Sequence, residues 1–179
     1  AANLDLIAAA TIGVVTVTIS DGAVAATLAA IANVDANDVI TFTTTDTSAD
    51  ASDLVALDAK VDTFTTTTVV TITEDVASIG TDAATVLAAL VIAPGAAVTI
   101  TGAISAANLD LIAAATIGVV TVTLDPATAL SDATVTVLAN VDANDVITLA
   151  STAVTADASA LVTLNTLADT KSFDNVVTI

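Results

Sequence analysis

Short runs of β-branched residues recur along the chain, and in each an apolar side chain alternates with threonine. The phrase apolar-apolar-Thr-apolar stands at Val14–Val17, Val39–Phe42, Val69–Ile72, Ala97–Ile100, Val119–Val122, Val146–Leu149 and Val176–Ile179. Period-two alternation of β-formers predicts a short strand at each. The alternation assigns Val15, Val17, Ile40, Phe42, Val70, Ile72, Val98, Ile100, Val120, Val122, Ile147, Leu149 and Val177 to a buried face. The opposite face takes Thr16, Thr41, Thr71, Thr99, Thr121, Thr148 and Thr178 in one expected column. Thr18, Thr43, Thr73, Thr101 and Thr123 form a second column, which Ala150 breaks.

Between these runs lie Ala- and Leu-rich stretches with helical spacing. Leu4, Ile7 and Thr11 share a face, as do Leu28 and Ile31; Leu54, Leu57 and Val61; and Leu161, Leu164 and Ala168. Ala and Leu are strong helix formers. Asp21, Ser52, Asp82, Ser105, Asp132 and Ser159 stand where N-caps are expected. Gly13 and Gly118 stand where helix-terminating glycines are expected.

The chain also repeats itself on a longer scale. Ala1–Thr18 and Ala106–Thr123 are identical, and Ala32–Thr41 is repeated at Ala139–Thr148. The seven strand phrases, starting between residues 14 and 176, lie on average 27 residues apart. One strand and one helix in that length is the unit of an α/β solenoid. The expectation is about seven such units, with a parallel sheet on one side, helices on the other and right-handed crossovers. An all-β solenoid is the alternative, with Val61–Thr68 and Leu90–Ile92 as second strands of their units. Residues 1–179 read as one elongated repeat domain, a segment of a longer array or a filament subunit.

No polar cap is apparent at either end, so head-to-tail stacking or continuation of the repeat is expected. The chain opens Ala1-Ala2-Asn3 without Met or a visible secretory leader, as expected of a processed chain or a piece of a longer one.

Composition narrows the function. The chain contains no Cys, His, Met, Trp, Tyr or Arg. Disulfides, thiol nucleophiles, histidine acid–base chemistry and the usual zinc sites are thereby excluded. Twenty acidic residues against Lys60 and Lys171 give a net charge of −18, which disfavours nucleic acid and anionic membrane surfaces as partners. Mean hydropathy is +0.95. The uncharged run between Asp82 and Asp110 is long enough for a bilayer span, yet Pro94-Gly95 interrupts it and no basic or aromatic flank exists. Neither a membrane span nor a small-molecule substrate is expected, and the protein reads as not an enzyme.

Two features resemble sites. Asp35, Asn37 and Asp38, repeated as Asp142, Asn144 and Asp145, could contribute calcium ligands. Turn formation is the plainer expectation for such residues. The threonine grid (Thr16, Thr18, Thr41, Thr43, Thr71, Thr73, Thr99, Thr101, Thr121, Thr123, Thr148) suits a half-exposed β face, a lateral packing surface or an ice-binding face. The remaining acids read as a solvated, repulsive surface that keeps an apolar chain soluble.

Phrases such as Ser52–Asp62 (SDLVALDAKVD), each followed by a Val/Thr strand, resemble large low-complexity repeat surface proteins of marine bacteria. The resemblance implies an extracellular or cell-surface location, an adhesive or protective array, no known active site and calcium-binding repeats nearby. Together the readings give a structural extracellular repeat protein that stacks on itself. The alternative is a binding module, either ice-binding or an adhesin repeat.

Overall fold

The structure is a computed structural model that describes residues 2–75 and 83–172. Seven helices and nine strands follow one another among the described residues. The helices are α1 (Ala2–Ala10), α2 (Val24–Ala29), α3 (Ala51–Asp58), α4 (Ala84–Ile92), α5 (Ala106–Ala115), α6 (Asp132–Val137) and α7 (Ala158–Leu167). The strands are β1 (Thr16–Gly22), β2 (Val39–Thr44), β3 (Ser48–Asp50), β4 (Thr63–Thr65), β5 (Thr71–Asp75), β6 (Ala97–Ile104), β7 (Val120–Leu124), β8 (Val146–Ala150) and β9 (Thr170–Ser172). The fold is α/β, and every ladder between these strands is parallel. An all-β architecture does not form: Leu90–Ile92, expected as a strand in that alternative, closes helix α4. Its partner segment does supply a strand, since β4 pairs with β2.

Two sheets run in chain order, β1-β2-β4 and β3-β5-β6-β7-β8-β9. From α2 onward, each helix packs against the next. The inward strand residues Ile40, Phe42, Ile72, Val98, Ile100, Val120, Val122, Ile147 and Leu149 are buried with helix residues such as Leu54, Leu57, Val86, Leu109, Ile112 and Leu164 in one core. Three residues assigned to this face depart from it. Val15 and Val17 are only half-buried. Val70 is 60% exposed, because β5 starts one residue later and Val69 turns inward instead. Val177 lies outside the described residues.

The expected threonine columns are sheared. Thr18 stands beside Thr41, Thr73 beside Thr99, and Thr123 beside Thr148, while Thr99–Thr121 alone of these follows the motif alignment. Thr16 faces Val39, Thr121 also faces Val146, and Thr101 faces Asp75. The displacements are of two residues. A one-residue slip would turn the apolar set outward, whereas a two-residue slip leaves the inward face inward.

The expected caps are corrected in several places. Ser105 caps α5 by accepting from Asn108 N, as expected. Asp50 rather than Ser52 caps α3, and Ser131 rather than Asp132 caps α6. Asp157, not Ser159, precedes α7, and it makes no cap bond there. Asp21 falls within β1 at a register shift, with φ 58°, and Ala23 takes the N-cap position of α2. Asp82 lies outside the described residues. Gly118 does not terminate a helix in the left-handed region, since α5 ends on extended Thr116.

Gly22 is required by a close approach. A Cβ there would overlap the ring of fully buried Phe42 and lie 2.9 Å from Thr27 Oγ1. That ring also packs on Phe64, with centroids 5.3 Å apart. Gly22→Ala is expected to cost about 1–3 kcal/mol, the usual range for overpacking. In a chain carrying Phe42→Leu, the same change should cost clearly less. Denaturant melts of the four variants of this cycle check the coupling.

Candidate functional site

The acidic residues converge on backbone amides rather than on a ligand. Each strand or helix starts with amide groups that its own element cannot satisfy. At four strand starts the acceptor is an aspartate from further along the chain. Val15 N donates to Asp38 Oδ1 (2.8 Å), Ile40 N to Asp62 Oδ2 (2.8 Å), Val120 N to Asp145 Oδ1 (2.9 Å) and Ile147 N to Asp169 Oδ2 (3.0 Å). Three helix starts repeat the arrangement. Val24 N donates to Asp46 (2.7 Å), Ser52 N to Glu74 (3.1 Å) and Asp132 N to Asp157 (3.1 Å). The spacings run from 22 to 25 residues, close to the repeat itself.

The expected ligand segments belong to this scheme. The second oxygen of Asp38 accepts from Asp35 N, and that of Asp145 from Asp142 N. Asn37 N donates to Asp35 Oδ1 at 2.8 Å, and Asn144 N to Asp142 Oδ1 at 2.7 Å. Asp38 and Asp145 are buried, whereas Asp35, Asn37, Asp142 and Asn144 are exposed. Each triplet is therefore a turn whose last carboxylate is committed to amides on both oxygens. Among the described residues, no group of three or more acidic side chains is placed to hold a metal ion.

A second device appears in both long repeats. Asn33 donates through its main-chain N and its Nδ2 to the two oxygens of Asp5, at 2.6 and 2.9 Å. Asn140 does the same to Asp110, at 2.7 and 2.9 Å. Most acidic side chains among the described residues thus accept backbone N–H bonds, a role they combine with the exposed, solvated position most of them keep. The signal was present in the sequence: an aspartate directly precedes the strands beginning at residues 39, 63, 146 and 170.

Glu74 is the most buried acid among the described residues, at 3% exposure. Its carboxylate accepts from Ser52 N and Asp75 N. Burial pushes its pKa up, the neighbouring charges of Asp50 and Asp75 add to this, and the two amides oppose it. Asp53 is also raised, by burial and by Asp50.

The threonines form a face but not an even lattice. Thr41, Thr43, Thr71, Thr73, Thr99, Thr121, Thr123 and Thr148 are half-buried, whereas Thr16, Thr18 and Thr101 are exposed. Several hydroxyls outside this grid tie neighbouring units: Thr68 donates to Thr44 O (2.9 Å), Thr116 to Ala96 O (2.7 Å) and Thr152 to Pro126 O (2.9 Å).

Two outcomes are expected. Asp145→Ala strands the amide of fully buried Val120 and should cost about 1–3 kcal/mol, with Asp145→Asn recovering part because its amide oxygen still accepts. Asp142→Ala, at an exposed turn, should cost well under about 1 kcal/mol. Urea melts decide between them. For Glu74 the folded-state pKa lies above its ordinary 4.5, so its protonated form is favoured by folding. Its contribution is fully present below pH 4.5 and is lost as pH rises through the raised value. Glu74→Gln, which keeps one acceptor oxygen for two amides, should therefore flatten the pH dependence of the melting temperature above 4.5. No known protein family, curated protein or solved structure matches the chain.

Proposed function

We propose that the chain is a structural extracellular repeat protein, an α/β solenoid whose units stack end to end into a filament, sheath or cell-surface array. One observation carries this reading. Strands pair in parallel and in chain order through both sheets, while each helix from α2 onward packs on its successor. Such an arrangement has no geometric limit on the number of units, and heterologous stacking of this kind generates filaments. The near-verbatim internal copies support it, since the Asp5–Asn33 and Asp110–Asn140 forks form with nearly the same geometry in both. The sheared threonine ladders, interrupted by Val39, Ala97 and Val146, favour this reading over ice binding, which needs a regular grid. Among the described residues no helix is long and apolar enough to cross a membrane.

At −18 per chain, stacked copies repel one another, and salt screens that repulsion. Negative-stain microscopy and sedimentation of the purified chain are expected to show end-to-end assemblies that lengthen with concentration and with sodium chloride. Calcium should act no more strongly than its ionic strength requires. A monodisperse monomer at micromolar concentration and at every ionic strength would overturn the proposal.

A further inference from the structure

The six-stranded sheet turns one face to the helices. Ile72, Val98, Val120 and Ile147 point into the core on that side. Its other face is built of β-branched side chains. The ladders there pair Thr99 with Thr121, Thr121 with Val146 and Thr123 with Thr148. These four threonines are half-buried, and Val119 and Val146 are 39% and 42% exposed. Parallel sheets rarely stand with one face open; both faces are normally covered.

Charge is distributed unevenly about this sheet. Strands β6, β7 and β8 contain no charged residue. Asp50 and Asp75, beside Thr73 and Thr101, bound the outer face on one side. Most of the acids that give the chain its net charge of −18 stand in turns and helices instead.

We propose that the outer face of this sheet is an interaction surface for a second copy of the chain, which lays the same face against it. The inference concerns side-by-side pairing and does not rest on end-to-end stacking. Further units before or after the described ones do not answer for this face. Units join by strand pairing within the sheet, as β5 to β9 do, so each addition widens the sheet and leaves its outer face as it was. Two like-charged copies meet at least electrostatic cost through an uncharged surface, and a copy offers the same surface in return. Rows of β-branched side chains about 4.8 Å apart also interdigitate well with their own kind. Threonine stands at alternate positions where a permanently covered parallel sheet carries Val, Ile or Leu. That choice suits a face that meets water in the single chain and a partner in the pair. Six strands about 4.8 Å apart and about 17 Å long make a patch of roughly 500 Å². A stable interface takes about 800 Å² from each partner. Pairing of single chains is therefore weak, and it gains strength where many units lie side by side.

The chain has no cysteine, so a single introduced thiol reports on one surface. Thr121→Cys places it on the outer sheet face, and Val162→Cys places it on α7, at a side chain 69% exposed. Both variants are labelled with an uncharged maleimide over a concentration series to about 1 mM, in parallel with sedimentation. Thermal melts of the dilute variants are expected to match the parent. Labelling of Thr121→Cys should slow about fivefold or more as association sets in, while Val162→Cys keeps its dilute rate. Association that leaves both thiols equally reactive overturns the inference and leaves end-to-end stacking standing, since stacking covers only terminal units. Protection of Val162→Cys in place of Thr121→Cys puts the contact on the helices and overturns it as well. So does a chain that stays monomeric to about 1 mM at high salt.

Discussion

An amide at the start of a strand or helix is a group its own element cannot satisfy, and at seven starts a carboxylate from further along the chain answers it. Val15, Ile40, Val120 and Ile147 receive this acceptor at strand starts, and Val24, Ser52 and Asp132 at helix starts. A bond of this kind to an ionised group contributes about 1.5–3 kcal/mol where water is excluded. Side-chain acceptors are needed because the units are short and many helices lack a strong local cap, as at Ala23 and Ala83. The acidity of the chain is thus largely a consequence of how its units are joined.

These bonds all run in one direction along the chain. At all seven starts the acceptor lies downstream, so each unit is completed by the one that follows. The joint ahead of the second long repeat is made differently. Gly118 occupies the position before the strand where Asp38 and Asp145 stand elsewhere, and Thr116 supplies a hydroxyl to the preceding unit. A charged acceptor is replaced by a hydroxyl and a bare backbone, which lets two main chains approach more closely than an aspartate would allow.

Alternation in the sequence located most strands and much of the inward face, because burial depends on the parity of a position. Register does not. Thr73 beside Thr99 and Thr71 beside Thr99 would bury the same residues, so hydrophobic pattern cannot choose between them. The strand at Thr63–Thr65 was legible only as an alternative, since Thr-Phe-Thr lacks the recurrent apolar pair. Val70 was misplaced because the turn at Thr66–Val69 closes by Val69 N donating to Thr66 O, which rotates Val69 inward. The candidate ligands were legible as acidic turns. Their true partners were not, for Val15 and Val120 lie more than twenty residues away and only the fold brings them together.

The two identical segments also separate what a sequence contributes from what its neighbours contribute. Both copies form a helix and a strand in the same places, so these elements follow from local propensity and pattern. Both leave Ile12 and Ile117 almost wholly exposed, so that feature too belongs to the segment. Ile7 and Ile112 differ, and the difference can only come from the unit lying against them. Burying one such side chain is worth about 1.5–3 kcal/mol. The neighbour lying against a segment therefore contributes to its stability beside the segment's own propensity.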